Sequence, residues 1–191
     1  MFKSLVVAAS VLISVHASAA VNVFDVVTSL NKVVLGDSET MGLNWKVGDT
    51  GNYALNMGGF IKGTMVYSVK AINGAEATLS QDVDLGQFGK QNCETVIDTN
   101  NGQVKSVTCN GKPQDAGNAD DIEVVDSKED NISVPAGQFN CLYLKIHDKK
   151  QNTDMEQWAN PKLVPVSGMV KAIAPSQLGK VVIELTSFKK M

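Results

Sequence analysis

Residues 93–109 read CETVIDTNNGQVKSVTC, and this stretch predicts the fold class of the chain. Two runs rich in β-branched residues flank the Asn-Asn-Gly at 100–102, which favours a tight turn because glycine adopts positive φ at little cost. A turn centred on Asn101 places Cys93 directly opposite Cys109, so a cross-strand disulfide is geometrically natural. A two-residue turn would instead shift the register by one residue and weaken this pairing.

The alternation of apolar and polar residues continues on both sides of this hairpin. Before it, residues 65–72 and 75–80 alternate around Asn73-Gly74, a strong hairpin signal. After it, the same alternation recurs at residues 139–146, 155–159, 163–173 and 181–188. We predict eight to ten strands, antiparallel because their connections are short. A sheet of that size curls into a half-barrel or barrel rather than staying flat.

Two segments break the strand pattern. Residues 22–34 have apolar side chains at helical spacing and predict one N-terminal helix that packs on the sheet as a plug or lid. Residues 110–131 hold seven acidic residues against two lysines and predict a solvated acidic linker. Their spacing does not meet the pattern of a calcium-binding loop.

The first twenty residues, MFKSLVVAASVLISVHASAA, have the composition of a secretory signal peptide. Lys3 supplies the positive start, residues 5–15 are apolar, and residues 17–19 or 18–20 offer the small side chains that a signal peptidase reads. The apolar run is well short of the ~20 residues needed to span a bilayer. We therefore predict a signal peptide at 1–20 and a single β-rich domain at 21–191. The mature protein is expected to be periplasmic or secreted, without a transmembrane span.

The three cysteines fit an oxidising compartment. An odd number of cysteines in an exported protein predicts one disulfide and one unpaired thiol. With Cys93 and Cys109 paired, Cys141 is the free thiol. It lies inside an apolar strand, so we expect it to be buried and unreactive.

The composition excludes several function classes. All 17 basic residues are lysines, and the lack of arginine removes the usual bidentate partner of carboxylates and phosphates. His147 is the one histidine outside the leader, so a site with several histidine ligands is excluded. It ends a strand beside a polar turn, which favours a solvated side chain over a catalytic one. We expect no catalytic residue, no metal and no cofactor.

The charge balance also limits the partners. The formal net charge of −3 becomes one unit more negative when Lys3 leaves with the leader. A mildly acidic protein is a poor partner for nucleic acid. We expect a monomer.

Two further segments carry a resemblance. One is WKVGD at residues 45–49, followed by Tyr53. The other is ISVPAGQFNC at residues 132–141, followed by Trp158, Pro161 and the VSGMVK of residues 166–171. Together they resemble exported bacterial proteins of a domain-of-unknown-function family with the pattern VGDxxxY…VPAGxFxC…W…P…GxVK.

The resemblance implies a strongly curved antiparallel sheet, comparable to the half-barrels of periplasmic lipid and lipoprotein carriers, and it implies no catalytic residues. This chain departs from the pattern after Gly48-Asp49, where Gly51 and Asn52 stand in a turn that often holds an aromatic residue. The predicted N-terminal helix is also not part of the pattern. Independently of any family, the Val-Pro-Ala-Gly at 134–137 has the residues of a tight turn.

Three hypotheses remain after these exclusions, and two of them are non-catalytic. The first is a non-catalytic protein that binds an apolar ligand, such as a lipid or an acyl chain, in the curved sheet. The alternative is a structural or protein-interaction module of the cell envelope without a small-molecule ligand. An enzyme using carboxylate or lysine chemistry is the third and weakest hypothesis. The sequence does not identify the ligand-binding residues.

Overall fold

The computed structural model describes residues 44–100, 102–114, 122–149, 152–176 and 179–191. The predicted signal peptide and the predicted helix at 22–34 lie outside the described residues. Within them the chain is mainly β, with a 3-10 turn at Gly86–Phe88. The strands are β1 (Thr50–Met57), β2 (Ile61–Asn73), β3 (Glu76–Asp84), β4 (Lys90–Asp98), β5 (Val104–Cys109), β6 (Lys112–Gln114), β7 (Ile122–Val134), β8 (Gly137–Asp148), β9 (Thr153–Ala159), β10 (Met169–Ser176) and β11 (Gly179–Lys189).

These eleven strands form one antiparallel sheet in the order β6-β5-β4-β3-β2-β1-β11-β10-β9-β8-β7. The first and last of the described strands, β1 and β11, pair with each other in the middle of the sheet, and β6 and β7 are its edges. The prediction of one large antiparallel sheet is confirmed. No pairing joins β6 to β7 in the described part of the chain, so the sheet is open and is not a closed barrel.

The two edge strands are tied together by a short piece of chain. Gln114 ends β6 and Ile122 begins β7, so eight peptide steps, or at most about 28 Å of extended chain, separate them. A flat sheet of eleven strands would put its edges about 48 Å apart at ~4.8 Å per strand. The sheet must therefore curl to bring β6 and β7 within reach of each other.

A contact across the sheet is consistent with the curl. The backbone N–H of Ala136, in the turn between β7 and β8, donates to the carbonyl of Leu185 in β11 at 3.0 Å. The rings of Phe139 and Phe188 lie 6.2 Å apart near this point. Since β9 and β10 lie between β8 and β11 in the sheet, the five strands β7 to β11 bend far enough for their ends to touch.

One face of the sheet, here called the inner face, is defined by Tyr53, Met65, Leu79 and Leu185, none more than 2% exposed. Tyr53 is the cross-strand partner of both Met65 and Leu185, and such partners share a face. The opposite, outer face carries exposed ion pairs such as Lys145–Asp154 at 2.9 Å.

β8 departs from simple alternation between a buried and an exposed face. Phe139 and Cys141 are buried near its beginning, whereas Leu144 and Ile146 are buried toward its end. Residues an odd number of positions apart point to opposite faces of a strand. β8 therefore buries opposite faces at its two ends. Leu144 and Ile146 lie on the inner face, whereas Phe139 and Cys141 lie on the other face of the strand and still join the cluster that contains Tyr53.

Several predicted turns are confirmed. Val134 pairs with Gly137 across Pro135-Ala136, and Phe139 then enters the core with 7% exposure. Gly168 has φ +67°, and a Cβ there would lie 2.9 Å from the Cα of Pro161. This glycine therefore allows a close approach of two backbone segments.

The hairpin at 93–109 has the predicted disulfide but reaches its register in an unpredicted way. Next to the turn Ile97 pairs with Val104, and a bulge then shifts the register so that Cys93 pairs with Cys109. The two cysteines form a disulfide, with their Cα atoms 4.0 Å apart. The bulge thus corrects the one-residue shift that a tight turn introduces.

Other boundaries differ from the sequence-based expectation. The predicted linker at 110–131 is wrong in part, since it contains β6 and most of β7. The predicted strand at 163–173 begins only at Met169, because residues 160–168 form a loop held by the bond from Asn160 N–H to the Gly168 carbonyl at 2.7 Å. The predicted turn at 48–52 overlaps the beginning of β1.

Both edges of the sheet are protected against pairing with other chains. β6 has three residues and contains Pro113, which lacks a backbone N–H donor. β7 is long, but its side chains Glu123, Asp126 and Glu129 are charged and exposed, and a bulge follows Val124. Short edges, bulges and exposed charges are the usual means of preventing edge-to-edge aggregation.

Replacing both bridged cysteines, as in Cys93→Ser/Cys109→Ser, should lower the free energy of unfolding by about 3 kcal/mol, because the bridge closes a loop of 16 residues. Urea unfolding of the exported protein measures this loss. Wild-type protein unfolded in the presence of reductant is the control and should match the double variant. A loss below about 1 kcal/mol would show that the bridge adds little to the β4–β5 pairing.

Candidate functional site

A row of inner-face residues crosses the middle of the sheet from β1 to β8. The register pairs Leu55 with Ile183, Ile183 with Ala172, Ala172 with Gln157, and Gln157 with Leu144. Since cross-strand partners share a face, Gln157 lies on the same face as the apolar core. It is the one polar member of this row.

Nε2 of the Gln157 side chain is buried and lacks a hydrogen-bond partner within the described residues. The residue is 2% exposed, and its Nε2 is the one buried side-chain nitrogen or oxygen without a hydrogen bond in the described part of the chain. An unmet buried donor costs on the order of 1–3 kcal/mol. A leucine or methionine would fill the same space without that cost, so the amide is a candidate for contact with an acceptor from outside the chain.

Gln157 lies where two apolar clusters meet. Its neighbour Ala172 belongs to the large core that includes Tyr53 and Leu185. Its neighbour Leu144 belongs to a smaller cluster with Ile146 and Met155, in which the three side chains are 0–7% exposed. The cross-strand neighbours of Gln157 on both sides therefore have hydrocarbon side chains.

The lysines of the neighbouring strands point away from this row. Lys145 pairs in register with Glu156 and forms an ion pair with Asp154 on the outer face. Lys171 forms an ion pair with Glu184 at 2.8 Å, also on the outer face. The ionisable side chain on the inner face of β8 and β9 is Asp148, which is 2% exposed.

The outer face carries a ladder of cations and aromatic rings, formed by Lys128, Tyr143, Trp158, Lys171 and Glu184 as successive cross-strand partners. Lys128 lies 5.0 Å from the centre of the Tyr143 ring, that ring lies 5.1 Å from Trp158, and Lys171 lies 6.0 Å from Trp158. The chain's own lysines lie over these rings, so the ladder stabilises strand pairing.

The loop between β9 and β10, residues 160–168, fills one end of the inner face. Val164 and Val166 are buried in the large core. The hydroxyl of Tyr53 donates to the carbonyl of Met169 at 3.1 Å and lies 3.4 Å from Ser167 Oγ. Burial raises the pKa of Tyr53 above its ordinary value, so this hydroxyl stays protonated and can donate.

The opposite end of the sheet exposes large aromatic side chains. Phe60, in the turn between β1 and β2, is 66% exposed, and Phe88, before β4, is 58% exposed. Both turns lie at the same end because Thr64 pairs with Asp84. The two ends of the inner face thus differ, one filled by a core loop and the other rimmed by apolar turns.

A buried carboxylate elsewhere is fully explained by the fold. Asp49, 1% exposed, accepts the backbone N–H of Lys46 at 2.9 Å and that of Met191 at 2.7 Å. It fastens the last residue of the chain to the segment before β1. In contrast with Gln157, its buried polar atoms have partners within the chain.

The cysteines and the histidine identified from the sequence have roles that do not involve Gln157. Cys93 and Cys109 form the structural bridge. Cys141 is free and 5% exposed, and burial, with the charge of Asp130, raises its pKa to about 11. His147 lies 2.8 Å from Asp154 in an exposed cluster beside the turn between β8 and β9.

Sequence reasoning missed Gln157, although a signal was present. Residues 155–159 alternate as a strand, which puts Gln157 on the same side as Met155 and Ala159. A polar residue on the apolar side of a strand is the pattern that marks a buried polar group.

Searches for metal and membrane-spanning elements cover the described residues only. No group of three or more His, Cys, Asp or Glu side chains in that part of the chain is placed to hold a metal ion. None of the helices found there is long and apolar enough to cross a membrane.

No protein-family model matches the chain, and no curated protein matches it. Membership of the family with the VGDxxxY…VPAGxFxC pattern therefore stays a prediction.

Solved structures with a similar fold include three proteins. A Bacteroides fragilis protein with a YmcC-like fold is 13% identical, with TM-score 0.44, covering 76% of this chain and 97% of that one. The hypothetical protein CT021 of Chlamydia trachomatis is 8% identical, with TM-score 0.49 and coverages of 80% and 91%. MucB is 11% identical, with TM-score 0.40 and coverages of 78% and 56%. Similarity at this level does not establish a shared function.

The thiol of Cys141 should be almost inert in the folded protein. With a pKa of about 11, its thiolate fraction at pH 8 is lower than that of an ordinary cysteine by roughly two orders of magnitude. Reaction with an aromatic disulfide reagent should be slow at pH 8 and accelerate as the pH rises toward 11. Urea-unfolded, unreduced protein is the control and should show one fast thiol. Fast reaction of the folded protein at pH 8 would contradict the burial of Cys141.

Gln157→Leu should stabilise the ligand-free protein by about 1 kcal/mol, because it removes an unmet donor and keeps the volume. Urea unfolding of lipid-extracted protein measures the change. Gln138→Leu, at an exposed position of β8, is the matched control and should change stability by less than about 0.5 kcal/mol. A loss of stability in Gln157→Leu would mean that the amide already has a partner in the free protein.

Proposed function

We propose that this protein is an exported, non-catalytic binding protein that holds an apolar ligand, such as a lipid or an acyl chain, against the inner face of a half-barrel. The observation that carries the proposal is the amide of Gln157, buried among apolar side chains without an acceptor. Buried polar groups in proteins are nearly always paired, and the rare exceptions call for an explanation such as an absent partner.

The surroundings of Gln157 support an apolar ligand. Leu144, Ile146 and Met155 line the inner face beside it, and apolar pockets with few polar groups are typical of small-molecule sites. The half-buried Ala174 and Val181, cross-strand partners on this face, continue the apolar surface toward the end rimmed by Phe60 and Phe88.

Two candidate catalytic side chains among the described residues are poorly placed for chemistry. His147, the general base that the sequence offers most readily, lies on the outer face with its Nδ1 2.8 Å from Oδ1 of Asp154. Cys141 stays protonated because burial raises its pKa to about 11, so it is a poor nucleophile.

Export is supported by the predicted signal peptide together with the Cys93–Cys109 bridge. Disulfides persist mainly in proteins outside the cytosol.

The exposed Phe60 and Phe88 favour the second candidate, an envelope interaction module, because exposed aromatic side chains on adjacent turns often mark a protein contact.

Binding of an apolar fluorophore such as N-phenyl-1-naphthylamine tests the proposal. The exported, lipid-extracted protein should bind it saturably at one site. Ala174→Leu, which adds volume to the half-buried inner face, should weaken binding at least tenfold. Ala54→Leu adds the same volume on the outer face of β1 and should leave binding unchanged.

Circular dichroism establishes that both variants fold. Absence of saturable binding by the folded wild-type protein would overturn the proposal and favour the interaction module. Equal affinities in the two variants would show that the fluorophore binds away from the inner face.

A further inference from the structure

We infer that the ligand presents a neutral carbonyl oxygen, as in an ester- or amide-linked acyl chain, to Nε2 of Gln157. This inference rests on the proposed function and names the chemistry that the same site selects.

Nε2 of Gln157 requires a hydrogen-bond acceptor. Nε2 of a glutamine amide carries two N–H donors and has no acceptor capacity. The atom is buried, and the cross-strand neighbours Leu144 and Ala172 offer only hydrocarbon side chains. A pure hydrocarbon in the site would leave the donor unmet, so a ligand with one oxygen acceptor at this depth is preferred over one without.

The charges around the site exclude an anionic head group as that acceptor. On the described strands β7 to β11 the five lysines lie on the outer face. Lys128, Lys145 and Lys171 pair in register with Tyr143, Glu156 and Trp158, and Lys180 and Lys189 pair with Pro175 and Thr50. A carboxylate beside Gln157 would be buried without a cation, which costs far more than one neutral amide donor returns. A neutral carbonyl satisfies the amide without placing a second carboxyl group on the face that already holds the buried Asp148.

Competition against the bound apolar fluorophore separates the alternatives. The competitors are methyl dodecanoate, dodecanoic acid and dodecane, which share a chain and differ at the end group. At pH 8 the methyl ester should displace the fluorophore at a concentration at least tenfold below that of the acid. The acid should bind about tenfold more weakly per pH unit above its carboxyl pKa of about 4 to 5, because only the protonated form enters the site.

Gln157→Leu tests the role of the amide directly. In this variant the methyl ester should bind about tenfold more weakly, whereas dodecane should bind at least as well as before. Gln138→Leu, exposed on β8, is the matched control and should alter neither affinity. The pH dependence for the ester should be flat in all three proteins.

The outcomes distinguish the two proposals. If none of the three competitors displaces the fluorophore, the proposed function itself fails. If ester and acid bind equally at pH 8, or if Gln157→Leu leaves ester binding unchanged, apolar binding stands and the neutral-carbonyl inference is overturned. An unchanged ester affinity together with a destabilised Gln157→Leu variant would assign a buried water, not a ligand, to the amide.

Discussion

The short chain connection between the edge strands β6 and β7 is the constraint on which the rest of the structure depends. The chain starts β1 in the middle of the sheet, builds outward to β6, crosses to β7 in seven residues, and returns strand by strand until β11 pairs with β1. Because that crossing is far shorter than a flat eleven-stranded sheet is wide, the sheet curls. Curling gives it one enclosed face, and the enclosed face is where the apolar side chains are buried.

Each polar group on an enclosed apolar face needs a hydrogen-bond partner to offset the cost of its burial. The hydroxyl of Tyr53 and the carboxylate of Asp49 are both buried, and both find backbone partners that hold the loop 160–168 and the C-terminal residue in place. The amide of Gln157 has the same burial and no such partner. This contrast supports the proposal of a ligand-binding site at Gln157. The outward orientation of the lysines supports the inference that the ligand is neutral there.

The strands and tight turns followed from local chemistry. Alternation predicted most strands, Asn73-Gly74 predicted the turn after β2, and Pro135-Ala136 predicted the turn before β8. Gly74 adopts positive φ at little cost and Pro135 fixes φ, and neither effect depends on distant residues. The prediction was wrong where residues distant in the sequence determine the backbone conformation. The acidic half of β7 has the composition of a linker, yet it forms a strand because β8 supplies a continuous set of backbone partners. Residues 163–168 have the composition of a strand but form a loop, which the hydrogen bond from Asn160 N–H to the Gly168 carbonyl closes and which buries Val164 and Val166 in the core.

The sequence by itself determined that the chain is an antiparallel β protein with one bridge and one free thiol. These properties follow from residue periodicity, turn residues and a cysteine count, all of which are local. Only the tertiary structure decided that the sheet is open, that a bulge aligns Cys93 with Cys109, and that β8 buries opposite faces at its two ends. It also decided that Nε2 of Gln157 has no partner among the described residues, because hydrogen bonding of a buried group depends on atoms from strands that are distant in the sequence.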